Sequence, residues 1–270
     1  MNRSLCFVLL FSALGSLASH ATPPPGFAVN PVFDDEFDAG QVDLSKWDYR
    51  ELGGLRGHAR LTTDAVKVQD GHMTITTYSS PDASGTMGIF SGMISTEKSF
   101  LQTYGYWEAS LRTDYQSGMQ PAFWLQSPTV GRPPDDPGKA GVEMDIFEHT
   151  SRTPNPALYD HAFVWNGYGK SCRSWIVNRK FGAPTDGKFH TFGLAWTPAG
   201  YTFYVDGTVS RVVPPSEVPV SHAPGYIIFS TEAYSHIPAE GYGPLGKSKA
   251  TFDVDYVRVY PYLGNGSAKP

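Results

Sequence analysis

Apolar and polar residues alternate in short segments along most of the chain, and Gly, Pro, Asn and Asp separate the segments. A period of two puts successive side chains on opposite faces of a strand. No long stretch carries a 3.6-residue period, so the expected fold is all-β. The segments that read as strands are Ala65 to Val68, His72 to Tyr78, Gly92 to Ser95, Gly105 to Thr113, Gln120 to Gln126, Val142 to Glu148, His161 to Trp165, His190 to Thr197, Tyr201 to Val205, Tyr226 to Thr231 and Phe252 to Tyr260. Asp206-Gly207, directly after one of these runs, is a two-residue hairpin signal. Strands this short and this many imply two packed antiparallel sheets, a β-sandwich. The 270 residues fit one large domain.

One predicted strand is unusual. Glu143, Asp145 and Glu148 place three carboxylates within six residues of an otherwise apolar run. Val142, Met144 and Ile146 would face a core, Glu143 and Asp145 the other side, and Glu148 is out of phase by one. A β-bulge at Ile146-Phe147 restores the phase and brings all three acids to one groove. The arrangement costs stability and suits glycosidic cleavage, in which a carboxylate nucleophile and a carboxylic acid flank the scissile bond. In a flat strand the outer two Cα atoms would sit about 16 Å apart, whereas retaining enzymes hold the carboxyl groups about 5 to 5.5 Å apart. Curvature and side-chain reach must close the gap. A solvated edge strand and a calcium site are the competing readings of the same acids. Residues 127 to 141, with four prolines and three glycines, form a long loop just before this strand, where functional loops are common.

The N-terminus changes the picture of where the chain works. Met1-Asn2-Arg3-Ser4, an apolar run from Leu5 to Leu14 and small residues ending at Ala21 have the layout of a secretory signal peptide. The expected organisation is a leader over 1–21, a single catalytic domain over 22–263 and a disordered tail over 264–270, secreted to the extracellular space or periplasm. The apolar run is too short to span a bilayer, so no membrane insertion is expected. Cleavage removes Cys6 and leaves Cys172 as a lone thiol. Loss of Arg3 takes the 21 basic residues to 20 against 26 acids, a net charge of −6 before histidines. That balance disfavours a nucleic-acid partner. Aromatics at 14% against 17% charged residues suit stacking on sugar rings as well as a sandwich core. The expected partner is a polysaccharide, bound by a monomer.

With these features in view, the chain resembles glycoside hydrolase family 16, whose enzymes share a concanavalin-like β-jelly-roll with a concave active-site cleft and the motif Glu-x-Asp-x-x-Glu, or Glu-x-Asp-x-Glu where the bulge is absent. The likeness rests on Glu143 to Glu148 and on Phe33-Asp34-Asp35-Glu36-Phe37 with Trp47. It continues through Tyr104-Gly105-Tyr106-Trp107-Glu108-Ala109, Gln120-Pro121-Ala122-Phe123-Trp124-Leu125, His190 to Trp196, Tyr204-Val205-Asp206-Gly207 and Asp253 to Tyr260. The resemblance implies Glu143 as nucleophile, Asp145 as assisting acid and Glu148 as general acid/base, in the bulged form of the laminarinase-like, agarase and carrageenase branches. It places Trp124 at the border of the cleavage subsite and Trp107 on a neighbouring strand, each read as stacking on sugar or packed in the core. His149 is read as structural. His161, in His-Ala-Phe-Val-Trp-Asn-Gly, is a sugar or acid/base contact, with Trp165 and Asn166 beside it; Val164 stands where laminarinase-like relatives often carry histidine.

The same resemblance implies a structural calcium at Glu36 and Asp255, remote from catalysis, and no cofactor for the reaction. The expected activity is endo-acting, retaining hydrolysis of a β-1,3-glucan or mixed β-1,3/1,4-glucan. A galactan or sulfated-galactan hydrolase is the second reading, with Arg132, Lys139, Arg152, Lys170 and Arg173 as the loop charges that would bind its anionic groups. A transglycosylase would use the same residues. A non-catalytic sugar-binding jelly-roll is the rival of another class, and three mutually repelling carboxylates argue against it.

Overall fold

A strict division of side chains between two faces organises the molecule. The computed structural model describes residues 22–149, 158–180, 186–234 and 237–264, so the expected leader and nearly all of the expected tail lie outside it. Two sheets of eleven and seven strands pack face to face, antiparallel throughout except where Ala59–Leu61 pairs parallel with Met87–Ser91. In the seven-stranded sheet the order is Arg173–Lys180, Leu158–Trp165, Glu143–Glu148, Met119–Gln126, Tyr226–Ala233, Met93–Ser95 and Asp48–Tyr49. Its centre is therefore Met119–Gln126, flanked by the acidic strand and Tyr226–Ala233.

Alternation decides which residues reach the core. From the smaller sheet, Phe123, Met144, Phe147, Phe163 and Phe229 are inward and essentially without solvent. They meet Trp107, Phe192, Trp196 and Phe252 from the larger one, all equally enclosed. Phe229 stacks on Phe123 with centroids 5.0 Å apart and contacts Trp47 at 5.7 Å and Phe252 at 6.2 Å, so one ring joins both sheets. At the Asp206-Gly207 turn, φ is 46° and 72°, and Val205 pairs with Thr208, the left-handed geometry that a two-residue hairpin needs.

The expected strands agree with the structure to within a few residues. Those the pattern did not reveal are Phe33–Asp35, Met87–Ser91, Arg173–Lys180 and Thr208–Val213, with three very short segments at Asp48–Tyr49, Leu55–Arg56 and Ala59–Leu61. Arg173–Lys180 and Thr208–Val213 end their sheets, where half of the backbone and one or both faces meet water, so their sequences carry little apolar alternation. The loop at 127–141 contains one short helical turn, Pro137–Ala140, capped by Asp136. No helix among the described residues is long and apolar enough to cross a membrane.

Phe229→Ala should cost about 3 to 5 kcal/mol, the usual range for emptying a filled aromatic site. Urea unfolding would read this as a lower midpoint with an unchanged slope.

Candidate active site

The acidic strand carries an irregularity where its phase demands one. Asp145 pairs with Trp124 on one side while Phe147 pairs with Phe123, and on the other side Asp145 pairs with Ala162 while Glu148 pairs with Asp160. One residue of the acidic strand is therefore extra on both sides, and Ile146 and Phe147 both turn into the core. Glu143 to Glu148 spans only the four steps from Val164 to Asp160, about 13 Å along a strand.

His161 holds that bulge. Its Nδ1 lies 2.7 Å from the Ile146 carbonyl oxygen, which can only accept, so Nδ1 carries the proton. Nε2 sits 3.0 Å from Ser210 Oγ, and the ring lies flat on Phe203 at 4.1 Å. These contacts put His161 on the core side, because Asp160, Ala162 and Val164 take the groove side of the same strand. The expectation of a sugar or acid/base contact is corrected accordingly. Trp165 also packs against the core, and Asn166 occupies a left-handed turn with φ 63° outside the groove. Trp107 is fully buried between the sheets, which corrects its reading as a stacking residue. His149, fully buried, stacks on Tyr115 at 3.8 Å.

The groove face is polar and acidic. Glu143, Asp145, Glu148, Asp160 and Glu232 line a cavity of about 790 Å³ together with Trp124, which lies along the groove with its indole N–H donating to Ser230 Oγ at 3.1 Å. Gln120 donates to Glu148 Oε1 at 2.6 Å. Glu143 Oε2 accepts from Gln126 Nε2 at 3.3 Å and from the Tyr168 hydroxyl. Gln126 Oε1 in turn accepts from Tyr226 at 2.6 Å and from Arg50 Nη2 at 2.9 Å.

Burial and mutual repulsion set the protonation of the three acids. Burial pushes Asp145 well above the ordinary carboxyl range, and the charges of Glu143, Glu148, Glu232 and Asp160 add to it. Burial also raises Glu143, but the Tyr168 and Gln126 donors oppose the rise. Glu148 is pushed up to about 7, chiefly by burial and then by Glu232, Asp160 and Glu143, with the Gln120 donor pulling the other way. A central acid pushed furthest upward, a neighbour whose rise is opposed by two donors and a third group pushed up to about 7 form the division of roles that acid and nucleophile require.

Some expected charges lie elsewhere. Arg132, Lys139, Lys170 and Arg173 do not line the groove: Lys139 pairs with Asp136 at 2.9 Å and Arg173 donates to the Cys172 carbonyl at 3.1 Å. Arg152 lies outside the described residues. Instead Arg50 and Arg56 reach the groove, each with acid partners, Glu97 at 3.1 Å for Arg50 and Glu232 for Arg56. Two-residue and irregular segments carry them, so no periodicity marked them. Tyr168 was missed for the same reason. At the expected calcium position, Arg258 takes both carboxylate oxygens of Glu36 at 2.8 Å, and Asp255 is the extra residue of a bulge in the Ala250–Tyr260 strand. A Glu36 already neutralised by a guanidinium does not fit a calcium ligand. No group of three or more His, Cys, Asp or Glu side chains suited to a metal ion occurs among the described residues.

Comparison with known proteins gives this geometry a context. The family model for the β-porphyranase A–D GH16 domain matches residues 27–262. The endo-1,3-1,4-β-glycanase EglC of Rhizobium meliloti is 31% identical over 74% of the chain, which spans only 40% of EglC's own length. β-Porphyranase E of Zobellia galactanivorans is 28% identical over 89% of the chain and 90% of its own. In fold, the chain is similar to the catalytic domain of an endo-1,3-β-glucanase (laminarinase) from Thermotoga petrophila, with a TM-score of 0.65 and 23% identity over 86% of this chain and 98% of that one.

The raised Glu148 carboxyl has a stability consequence that needs no substrate. From its ordinary value of 4.5 up to about 7, the folded protein keeps a proton that the unfolded chain releases, so stability falls as pH rises through that window. The loss amounts to at most about 3 kcal/mol. Glu148→Gln should remove this contribution and melt higher than the parent at pH 8 but not at pH 4, as thermal unfolding at the two pH values would show.

Proposed function

The chain belongs to glycoside hydrolase family 16, and on that premise we propose that it is a retaining, endo-acting hydrolase of a β-linked polysaccharide. The observation that carries this reading is the bulged strand that turns Glu143, Asp145 and Glu148 into one groove. A carboxylate of Glu143 attacks the anomeric carbon while Glu148 gives its proton to the departing oxygen, so one carbon–oxygen bond forms as the other breaks. Glu148, now ionised, takes a proton from the water that attacks the same carbon, and the ester to Glu143 is released with configuration retained. Asp145, whose carboxyl is pushed toward its protonated form by burial and by the charges around it, limits the negative charge between them. Trp124 is mostly buried and borders the groove, where its exposed edge can pack against a sugar ring.

Two polymer classes have separate support. A porphyran-type polymer is supported by the family model for β-porphyranases A–D over most of the chain and by β-porphyranase E, a relative of matching length. A β-1,3- or mixed-linked glucan is supported by the glycanase EglC; among the described residues, the two arginines that line the groove, Arg50 and Arg56, both pair with acids. Residues 1–21, read as a leader, suit an enzyme that meets polymers too large to enter a cell.

Product sizing on laminarin, mixed-linkage β-glucan, agarose, porphyran and carrageenan would test both parts. Shortening of one polymer to oligomers is expected, and Glu143→Ala and Glu148→Gln should each lower the rate by about a thousand-fold or more without unfolding the protein. Near-normal activity in either variant would remove the mechanism.

A further inference from the structure

Among the described residues, Tyr168 is the groove side chain that hydrogen-bonds the proposed nucleophile yet belongs to no strand. It lies on the turn between Leu158–Trp165 and Arg173–Lys180, is 60% exposed, and still donates its hydroxyl to Glu143 Oε2. Its place is set by backbone packing. Gly131 and Gly167 both have positive φ, 77° and 69°, and a Cβ on Gly131 would come within 2.8 Å of Gly167 Cα. Two loops thus meet main chain to main chain, one residue before Tyr168.

Gln126 completes the arrangement. Its Oε1 is occupied by two donors, Tyr226 and Arg50, so the amide has one orientation, with its N–H group toward both Tyr168 and Glu143. Both contacts on Glu143 fall on Oε2. Among the described residues Oε1 accepts no hydrogen bond. A carboxylate anchored through one oxygen has the other left to react.

Resting on the reading of Glu143 as nucleophile, we propose that Tyr168 is a positioning residue that, with Gln126, anchors Oε2 and thereby commits Oε1 to attack on the anomeric carbon. In that step the Oε1–carbon bond forms, the bond to the leaving oxygen breaks, and the leaving oxygen takes the Glu148 proton. Oε2 keeps its two donors throughout, so the clamp favours the ionised carboxylate before attack and orients the ester after it. The exposed Tyr168 ring gives the sugar a wall beside the reacting oxygen. Tyr168 itself remains a donor, since burial of its hydroxyl and the adjacent carboxylate push its ionisation far upward.

Tyr168→Phe keeps the ring and deletes the donor. The charged and titratable groups facing Glu143 remain: Asp145 and Glu148 on its strand, Asp160 opposite, Arg56, Glu232 and Tyr226 across the groove. Losing a donor to the ionised form raises the Glu143 carboxyl, so the acidic limb of the kcat profile should move to higher pH while the alkaline limb, set by Glu148, stays. A fall of about ten- to a hundred-fold in kcat is expected with little change in KM, the range for a hydrogen bond to a charged group. The melting temperature should change little, which a merely structural role for Tyr168 would not permit together with a shifted limb.

Trapping separates the two levels of the argument. A 2-deoxy-2-fluoro glycoside with a dinitrophenyl leaving group, of the sugar found by the polymer assay, should label Glu143 in the parent, and label Tyr168→Phe about ten-fold or more slowly. Labelling of Glu143 at equal rates in both, with an unmoved acidic limb, would overturn the role of Tyr168 and leave the nucleophile intact. A label on another residue, or none in the parent, would overturn the nucleophile and the clamp together.

Discussion

The extra residue at Ile146-Phe147 is the constraint on which the site depends. It turns two adjacent apolar residues into the core and three nearby acids out of it, which regular alternation forbids. The core accepts both inward side chains because Phe147 finds a place between Tyr159 and Phe192, and the imidazole of His161 takes up the Ile146 carbonyl. An unpaired carbonyl in this position would be costly. The hydrogen bond from this buried histidine is therefore as much a part of the groove as the acids that line it.

The groove is built from opposed tendencies. Packing these carboxylates around one cavity is unfavourable; burial and the neighbouring charges push the Asp145 carboxyl well above its ordinary range, and Arg56 pairs with Glu232. Glu143 and Glu148 are treated differently. Glu143 receives neutral donors, which favour its charge without cancelling it, whereas Glu148 has Gln120 alone against burial and three negative neighbours. Reactivity here is the portion of electrostatic strain left after these compensations.

Much of this was legible in the sequence, because the relevant signals are local. Alternation marks most of the strands, and the phase error at Glu148 marks the bulge. What escaped depends on residues far apart in the chain. His161 and Trp107 carry sugar-binding chemistry as residue types, but their faces are set by pairing with other strands, and both face inward. Tyr168, Arg50 and Arg56 lie on turns or two-residue segments, where no period tells inside from outside. The partner of Glu36, Arg258, is 222 residues away, and nothing near either residue announces the pair.

The bulge also uncouples the chemistry from the length of its strand. If one residue were deleted at Ile146-Phe147, the third acid would fall two positions after Asp145 and, by plain alternation, still face the groove. A frame change that ordinarily turns a strand inside out would leave the carboxylates on their side. The loss would be felt in the interior, where a core side chain would vanish and His161 would lose its acceptor. The reactive face thus tolerates a change of register that the hydrophobic face does not, and variation in the spacing of the acids is limited by packing beneath the groove.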